Sequence, residues 1–150
     1  MTEIIKKEVE QIFLDYDDKI FDEVMNSPIK ESNLSKVLQT AAKMHIQIDC
    51  VCIRRSSGGR LHILIALDQP ISFIWSMIFR IRLDDCIGRV TSDFNRYLES
   101  GGDITRVNRL FNYKLVNGEQ RRAGEWIMLY HAKNTTLNDF EKKQNDIIEA

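Results

Sequence analysis

Arginine is missing from both ends of this chain: none precedes Arg54 and none follows Arg122, although the 150 residues hold eleven. Cysteine is scarce, and a count of three is odd, which argues against a disulfide framework and for reduced thiols. Cys50 and Cys52 stand two apart on a stretch of strand character, so they share a face. No CxxC pair and no histidines at ligand spacing accompany them, so zinc is not expected. No apolar run approaches the ~20 residues a membrane span needs; Ile63–Leu67 and Ile71–Ile81 are too short or interrupted. Residues 1–7 lack the apolar stretch and small-residue cleavage site of a signal peptide, and the expectation is a cytoplasmic protein with no membrane contact. Glycine-, serine- and proline-rich linkers are absent, as are internal repeats. There is no P-loop, no nucleophile elbow and no Ser/His/Asp order. The residues therefore name no catalytic group, no metal ligand and no cofactor.

What is present is charge segregated along the chain. Residues 1–31 carry nine acids against four lysines, residues 32–133 carry fifteen Lys/Arg against nine acids, and residues 134–150 carry four acids against two lysines. A net of -1 thus conceals a basic middle between acidic ends. Arginine forks suit phosphate, so DNA or RNA is the first partner to consider. Hydrophobic content of 43% in one chain of this length describes a single folded domain over 1–150.

Spacing divides that domain. Ile5, Val9, Ile12, Phe13, Tyr16, Ile20, Phe21 and Val24 recur at helical intervals and predict an acidic amphipathic helix over 3–25, ended before Pro28. This segment and the similarly acidic C-terminal one could also pair between protomers, giving a homodimer. A second helix, capped by Ser32 or Asn33, buries Leu34, Val37, Leu38, Ala41 and Met44. Ile46–Ile53 then alternates, and after Ser57-Gly58-Gly59 so does Leu61–Leu67, a β-hairpin stopped by Asp68-Gln69-Pro70. Ser72 caps a third helix through Phe73, Ile74, Met77 and Ile78. Asp84 or Asp85 caps a fourth, with Ile87, Val90, Phe94, Tyr97 and Leu98 on its inner face. Arg109–Val116 alternates up to Asn117-Gly118, and its return strand is expected near Glu125–Tyr130. Residues 134–150 read as a C-terminal helix or tail. The expectation is an α+β fold: one antiparallel sheet built from two β-hairpins over 46–131, packed against helices in an RRM- or ferredoxin-like manner.

The first hairpin is the candidate site. Arg54, Arg55 and Arg60 surround its glycine turn, and His62 shares a face with Arg60 by alternation. Such a finger could clamp a nucleic-acid backbone, the turn amides donating N–H to a phosphate oxygen. Strand Ile46–Ile53 with Asp49, the Ser57-Gly58-Gly59 turn and Leu61-His62-Ile63 resembles part of an archaeo-eukaryotic primase. The resemblance implies an RRM-like sheet, with Asp49 as a metal carboxylate and His62 as a nucleotide-phosphate contact. The strand departs from that family at its second acidic place, held here by Val51 or Cys52, so two-metal chemistry is not implied.

Arg82, Arg89, Asp93 and Arg96 recur on one side of a helix, with Asp85–Arg89 and Asp93–Arg96 at pairing distance; this reads as a salt-bridged lattice. Together with Leu110-Phe111 and Lys114, the stretch resembles small uncharacterised proteins of archaeal viruses and plasmids, and that resemblance implies a host-cell cytoplasm. Phe111 and Tyr113 share a strand face with Arg109, a set that could stack bases and hold phosphates. Arg121 and Arg122 extend the positive surface.

The sequence therefore leads to a non-catalytic nucleic-acid-binding accessory protein, in replication or gene control, using Arg54, Arg55, Arg60, His62, Arg109, Tyr113, Arg121 and Arg122. A small metal-dependent nuclease or degenerate primase-like enzyme is the alternative, and a homodimeric interaction module the third.

Overall fold

The computed structural model describes residues 8–132 apart from 106 and 111. It is α+β. Strands β1 (Glu8–Ile20), β2 (Ile48–Arg55), β3 (Arg60–Ser72) and β6 (Ile127–His131) form one antiparallel sheet in the order β1-β3-β2-β6. Helices α1 (Phe21–Met25) and α2 (Ile29–Lys43) follow β1, and α3 (Phe73–Arg82) and α4 (Ile87–Glu99) follow β3. A separate two-stranded ribbon, β4 (Tyr113–Val116) with β5 (Glu119–Arg122), precedes β6.

The helix expected over 3–25 is, across its described part from residue 8, a 13-residue strand followed by one short helix; residues 3–7 lie outside the described residues. Both periods are written in this segment. Val9, Ile12, Phe13 and Tyr16 fit a helical stripe, but Ile12, Leu14 and Tyr16 also alternate; these three are buried together with Val9, while Phe13 is only half-buried. Pairing decides between them, because β3 needs a partner on each side and β1 supplies the outer one from Gln11↔Ala66 to Tyr16↔Leu61. Strand β3 also runs past its expected stop. Opposite it the β1 pairing jumps from Ala66 to Ile71, so Pro70, with no N–H to donate, lies where the ladder is interrupted. On the β2 side of the same stretch the Asp68 N–H donates to the Gln47 carbonyl at 2.9 Å.

The β2–β3 hairpin forms as its turn residues require. Ser56 N–H donates to the Arg60 carbonyl at 2.7 Å, and Ser56 Oγ accepts from the Arg60 N–H at 2.9 Å. Gly59 takes φ +81°, which a side chain would resist. The second expected hairpin is corrected. Asn117 and Gly118, at φ 52° and 80°, turn β4 into β5 rather than into residues 125–130. Those later residues become β6 and pair with β2. The last strand thus lies beside β2, whereas a ferredoxin- or RRM-like sheet returns it beside the first strand.

One face of the sheet, with Ile12, Leu14, Val51, Ile53, Leu61, Ile63 and Ile65, packs on Leu34, Val37, Leu38 and Ala41 of α2 and on Phe73 and Met77 of α3. Helix α2 buries the expected residues but begins earlier, at Ile29 behind Pro28, with no side-chain cap from Ser32 or Asn33. Ser72 caps α3 as expected, accepting from the Trp75 N–H at 3.2 Å.

Asp84 and Asp85 do not cap α4. They close α3: the Asp84 N–H donates to the Ile81 carbonyl and the Asp85 N–H to the Arg80 carbonyl, with Asp84 in the left-handed region at φ 58°. This closure turns the Asp85 carboxylate back onto Arg80, whose guanidinium is wholly buried. Arg80 Nε donates to Asp85 at 2.7 Å and Nη1 to Asp93 of α4 at 2.8 Å. Arg89 joins Asp85 at 2.8 Å, and Arg96 approaches Asp93 at 3.5 Å, the two pairings expected from spacing. Because Asp93 faces inward, the expected apolar face of α4 does not. Val90 is buried and Tyr97 stacks on Phe73 at 4.0 Å, but Ile87 and Leu98 are 71% and 60% exposed.

The lattice also finishes the outer edge of the sheet. The Phe13 N–H donates to Asn108 Oδ1 and the Asp15 N–H to Asp85 Oδ1, each at 2.8 Å, so side chains replace a missing neighbour strand. Residues 134–150, expected as a helix or tail, lie outside the described residues, as does Phe111.

Arg80→Ala is expected to destabilise the protein by about 3–5 kcal/mol, since it removes the buried cation that Asp85 and Asp93 share and leaves Asp93 with only the 3.5 Å approach of the exposed Arg96. Urea unfolding checks this, and the loss should change little between low and high salt because the pair is shielded from ions.

Candidate nucleic-acid interface

The sheet face away from α1 and α2 carries a row of polar side chains across three strands. Arg54 of β2 is register partner to His62 of β3, and His62 is partner to Asp15 of β1. Arg54 Nε donates to His62 Nδ1 at 3.0 Å, and His62 Nε2 stands 3.5 Å from Asp15 Oδ1. Arg54 is 6% exposed; its guanidinium lies 4.4 Å from the Trp126 ring centroid, and Nη1 donates to Asn112 Oδ1 at 3.0 Å. Trp126 in turn leans on Phe13. Arg54 is therefore built into the protein rather than held out on a finger.

Asp15 and His62 open into a groove of about 1060 Å³ between the hairpin end of the sheet and α4. Its walls are Asp15 and Asp17 from β1, the Ser56–Gly58 turn, Arg60 and His62 from β3, and Gly88, Arg89, Ser92, Asp93 and Arg96 from α4, with Arg109 and Leu110 at one end. Pairing of β1 shifts between Tyr16 and Ile20, so Asp17 belongs to a bulge against the hairpin turn, the kind of irregularity that re-aims side chains. Cys86 caps α4 without a side-chain hydrogen bond, leaving the positive end of that helix at the groove wall.

Two groups in the groove are displaced from their ordinary protonation. Burial, then the Asp17 charge, push the Asp15 carboxyl up to about 6, against an opposing pull from Arg89. Asp15 Oδ1 is buried without a hydrogen-bond donor. Burial, then the charges of Arg54 and Arg89, push His62 down to about 4, so its ring is neutral near pH 7.

Of the residues singled out from sequence, the groove gathers Arg60, His62 and Arg109. Arg109 is fixed there by Nε and Nη2 donating to the Thr105 carbonyl. Arg54 supports His62 from behind. Arg55 points elsewhere and pairs with Asp22 at 2.6 Å. Arg121 and Arg122 are exposed on the ribbon, whose base is tied to the hairpin by the Gly124 N–H donating to the Arg55 carbonyl at 2.8 Å. The side chain of Tyr113 lies outside the described residues. Asp49, implied as a metal carboxylate by the primase resemblance, is at the far end of β2, 3.6 Å from His131.

The groove residues that sequence reasoning missed are Asp15, Asp17, Arg89 and Arg96. Reading 3–25 as a helix hid the first two; the alternation of Ile12, Leu14 and Tyr16, which turns Asp15 to the other face, was the available signal. Arg89 and Arg96 were read as lattice, and they are lattice on one side and groove wall on the other. No family model, curated protein or solved structure matches this chain.

Opposing titrations follow from the row. A raised Asp15 favours folding below its unfolded value of 3.8 and loses that contribution as pH rises through about 6. A lowered His62 favours folding above 6.5 and loses it as pH falls toward about 4. In the parent the two slopes largely offset. Asp15→Asn is expected to stabilise the protein by about 1–3 kcal/mol near pH 7, a gain that fades toward about pH 4.5 and exposes the His62 slope. Urea unfolding across that range measures both effects.

Proposed function

We propose that this protein binds DNA or RNA through the groove between the hairpin turn and α4. The observation that carries this reading is the convergence of Arg60, Arg89, Arg96 and Arg109, from three separate parts of the chain, on one open polar groove. The Ser56–Gly58 turn and the uncapped start of α4 add backbone N–H groups suited to phosphate oxygens. Arg121 and Arg122, exposed on the ribbon whose base is tied to the hairpin at Arg55, would extend the contact to further phosphates. Since the arginines are interleaved with Asp15, Asp17 and Asp93, the groove favours a specific phosphate register over nonspecific attraction. A non-catalytic accessory role in replication or gene control of a mobile element, in the cytoplasm, needs no more than this.

The test is fluorescence anisotropy with labelled single- and double-stranded oligonucleotides across a salt series. Arg60→Ala combined with Arg109→Ala is expected to weaken binding about 10–100-fold and to reduce the salt slope by roughly 1.4–1.8, two phosphate contacts' worth. Unchanged affinity and slope would remove the groove from the interface.

A second reading rests on Asp15 and Asp17. Asp49 lies away from the groove, whereas Asp15 and Asp17 both line it and Asp15 Oδ1 is buried without a hydrogen bond; no three potential ligands gather among the described residues, so phosphate oxygens would have to complete the set. Magnesium is usually held by one or two carboxylates together with phosphate oxygens. Asp15 and Asp17 would hold it, and when bound it would polarise a phosphoryl oxygen beside the arginines. Labelled DNA and RNA incubated with Mg²⁺ or Mn²⁺ should then be cleaved by the parent and left intact by Asp17→Asn. Calorimetric titration with Mn²⁺ alone should show the same difference.

A further inference from the structure

We infer that Arg54 is a positioning residue for the groove: its guanidinium holds His62 in the tautomer that carries its proton on Nε2, so that a neutral N–H is presented to an oxyanion of the bound strand. The presentation to a ligand rests on the nucleic-acid reading above; the tautomer does not. An arginine can only donate. With Arg54 Nε donating to Nδ1 at 3.0 Å, Nδ1 must offer its lone pair and the ring proton must sit on Nε2. A doubly protonated ring would set two N–H groups against each other at that distance. Arg54 cannot swing away without cost, because Trp126 covers its plane and Asn112 Oδ1 accepts from Nη1.

The groups facing His62 are Arg54 from β2, Asp15 from β1 and Arg89 from α4. The two cations disfavour an imidazolium, and burial adds to them. On the other side, Nε2 is 3.5 Å from Asp15 Oδ1, which has no hydrogen bond. The Nε2–H thus faces the Asp15 carboxylate at more than a normal hydrogen-bond distance, and the buried His62 ring reaches the groove beside it, where a ligand oxygen could compete for that proton. The arginines supply charge there; His62 supplies direction, its donor fixed by the Arg54 contact.

Long-range ¹H–¹⁵N correlation spectra of the full chain test the tautomer directly. The expected result near neutral pH is a pyridine-like Nδ1 and a pyrrole-like Nε2; an Nδ1–H ring or an imidazolium overturns the inference. A double-mutant cycle tests the role. Arg54→Met alone is expected to mix the tautomers and weaken oligonucleotide binding about tenfold, in keeping with the loss of one good hydrogen bond. In a His62→Ala background the same change should cost no further affinity. An equal loss in both backgrounds means that Arg54 acts by some route other than His62, and the inference fails. If oligonucleotide binding is absent in the parent, the groove reading falls while the spectra still decide the tautomer.

Discussion

Arg80 is a charge with no access to water, and the arrangement of the groove follows from meeting its needs. A buried guanidinium requires carboxylates at close range. Asp85 arrives from the closure of α3 and Asp93 from the middle of α4, so satisfying one side chain fixes how two helices meet. Each carboxylate then reaches beyond Arg80. Asp85 accepts the Asp15 N–H of β1 and holds Arg89, while Asp93 accepts the Asn108 N–H at 2.9 Å. Asn108 in turn caps the Phe13 N–H. The outer edge of the sheet, the start of α4 and the segment leading to Arg109 are thus tied to one buried cation. Such networks contribute more to a unique geometry than to net stability.

The arginines divide their labour accordingly. Arg80 and Arg54 are interior residues, one neutralised by carboxylates and the other covered by an indole ring. Arg55 is spent on Asp22. Arg89 and Arg96 serve both the lattice and the groove, and Arg60 and Arg109 face the groove at its rim. A count of basic residues overstates the surface open to a polyanion, because a cation meets an acid at contact range in preference to a distant phosphate. What remains is a narrower groove whose acidic members, Asp15 and Asp17, crowd each other at some expense in stability.

Much of the architecture was legible in particular residues. Ser57-Gly58-Gly59 between two alternating runs leaves little choice but a hairpin, since only glycine takes the required φ without strain. Leu34, Val37, Leu38 and Ala41 mark the buried stripe of α2, and Ser72 ends a strand and starts a helix in one step. The pairs Asp85–Arg89 and Asp93–Arg96 were visible as helical neighbours. Residues 8–20 were not legible, because their apolar spacing satisfies a helix and a strand alike and the choice belongs to β3, fifty residues away. Asn117-Gly118 correctly marks a turn, but nothing near it says that the returning strand will stop after four residues and that Ile127–His131 will join β2 instead.

Local chemistry, then, belongs to the sequence: turns, caps, helical stripes and neighbouring ion pairs depend on residues within a few positions of one another, and their energies are decided there. The tertiary structure alone decided which face of α4 is buried, which arginines stay available, and that Asp15, His62 and Arg54 line up across three strands. Those outcomes depend on the desolvation of charge. Whether a guanidinium or carboxylate keeps its water is a property of the assembled surroundings, and no linear spacing records it.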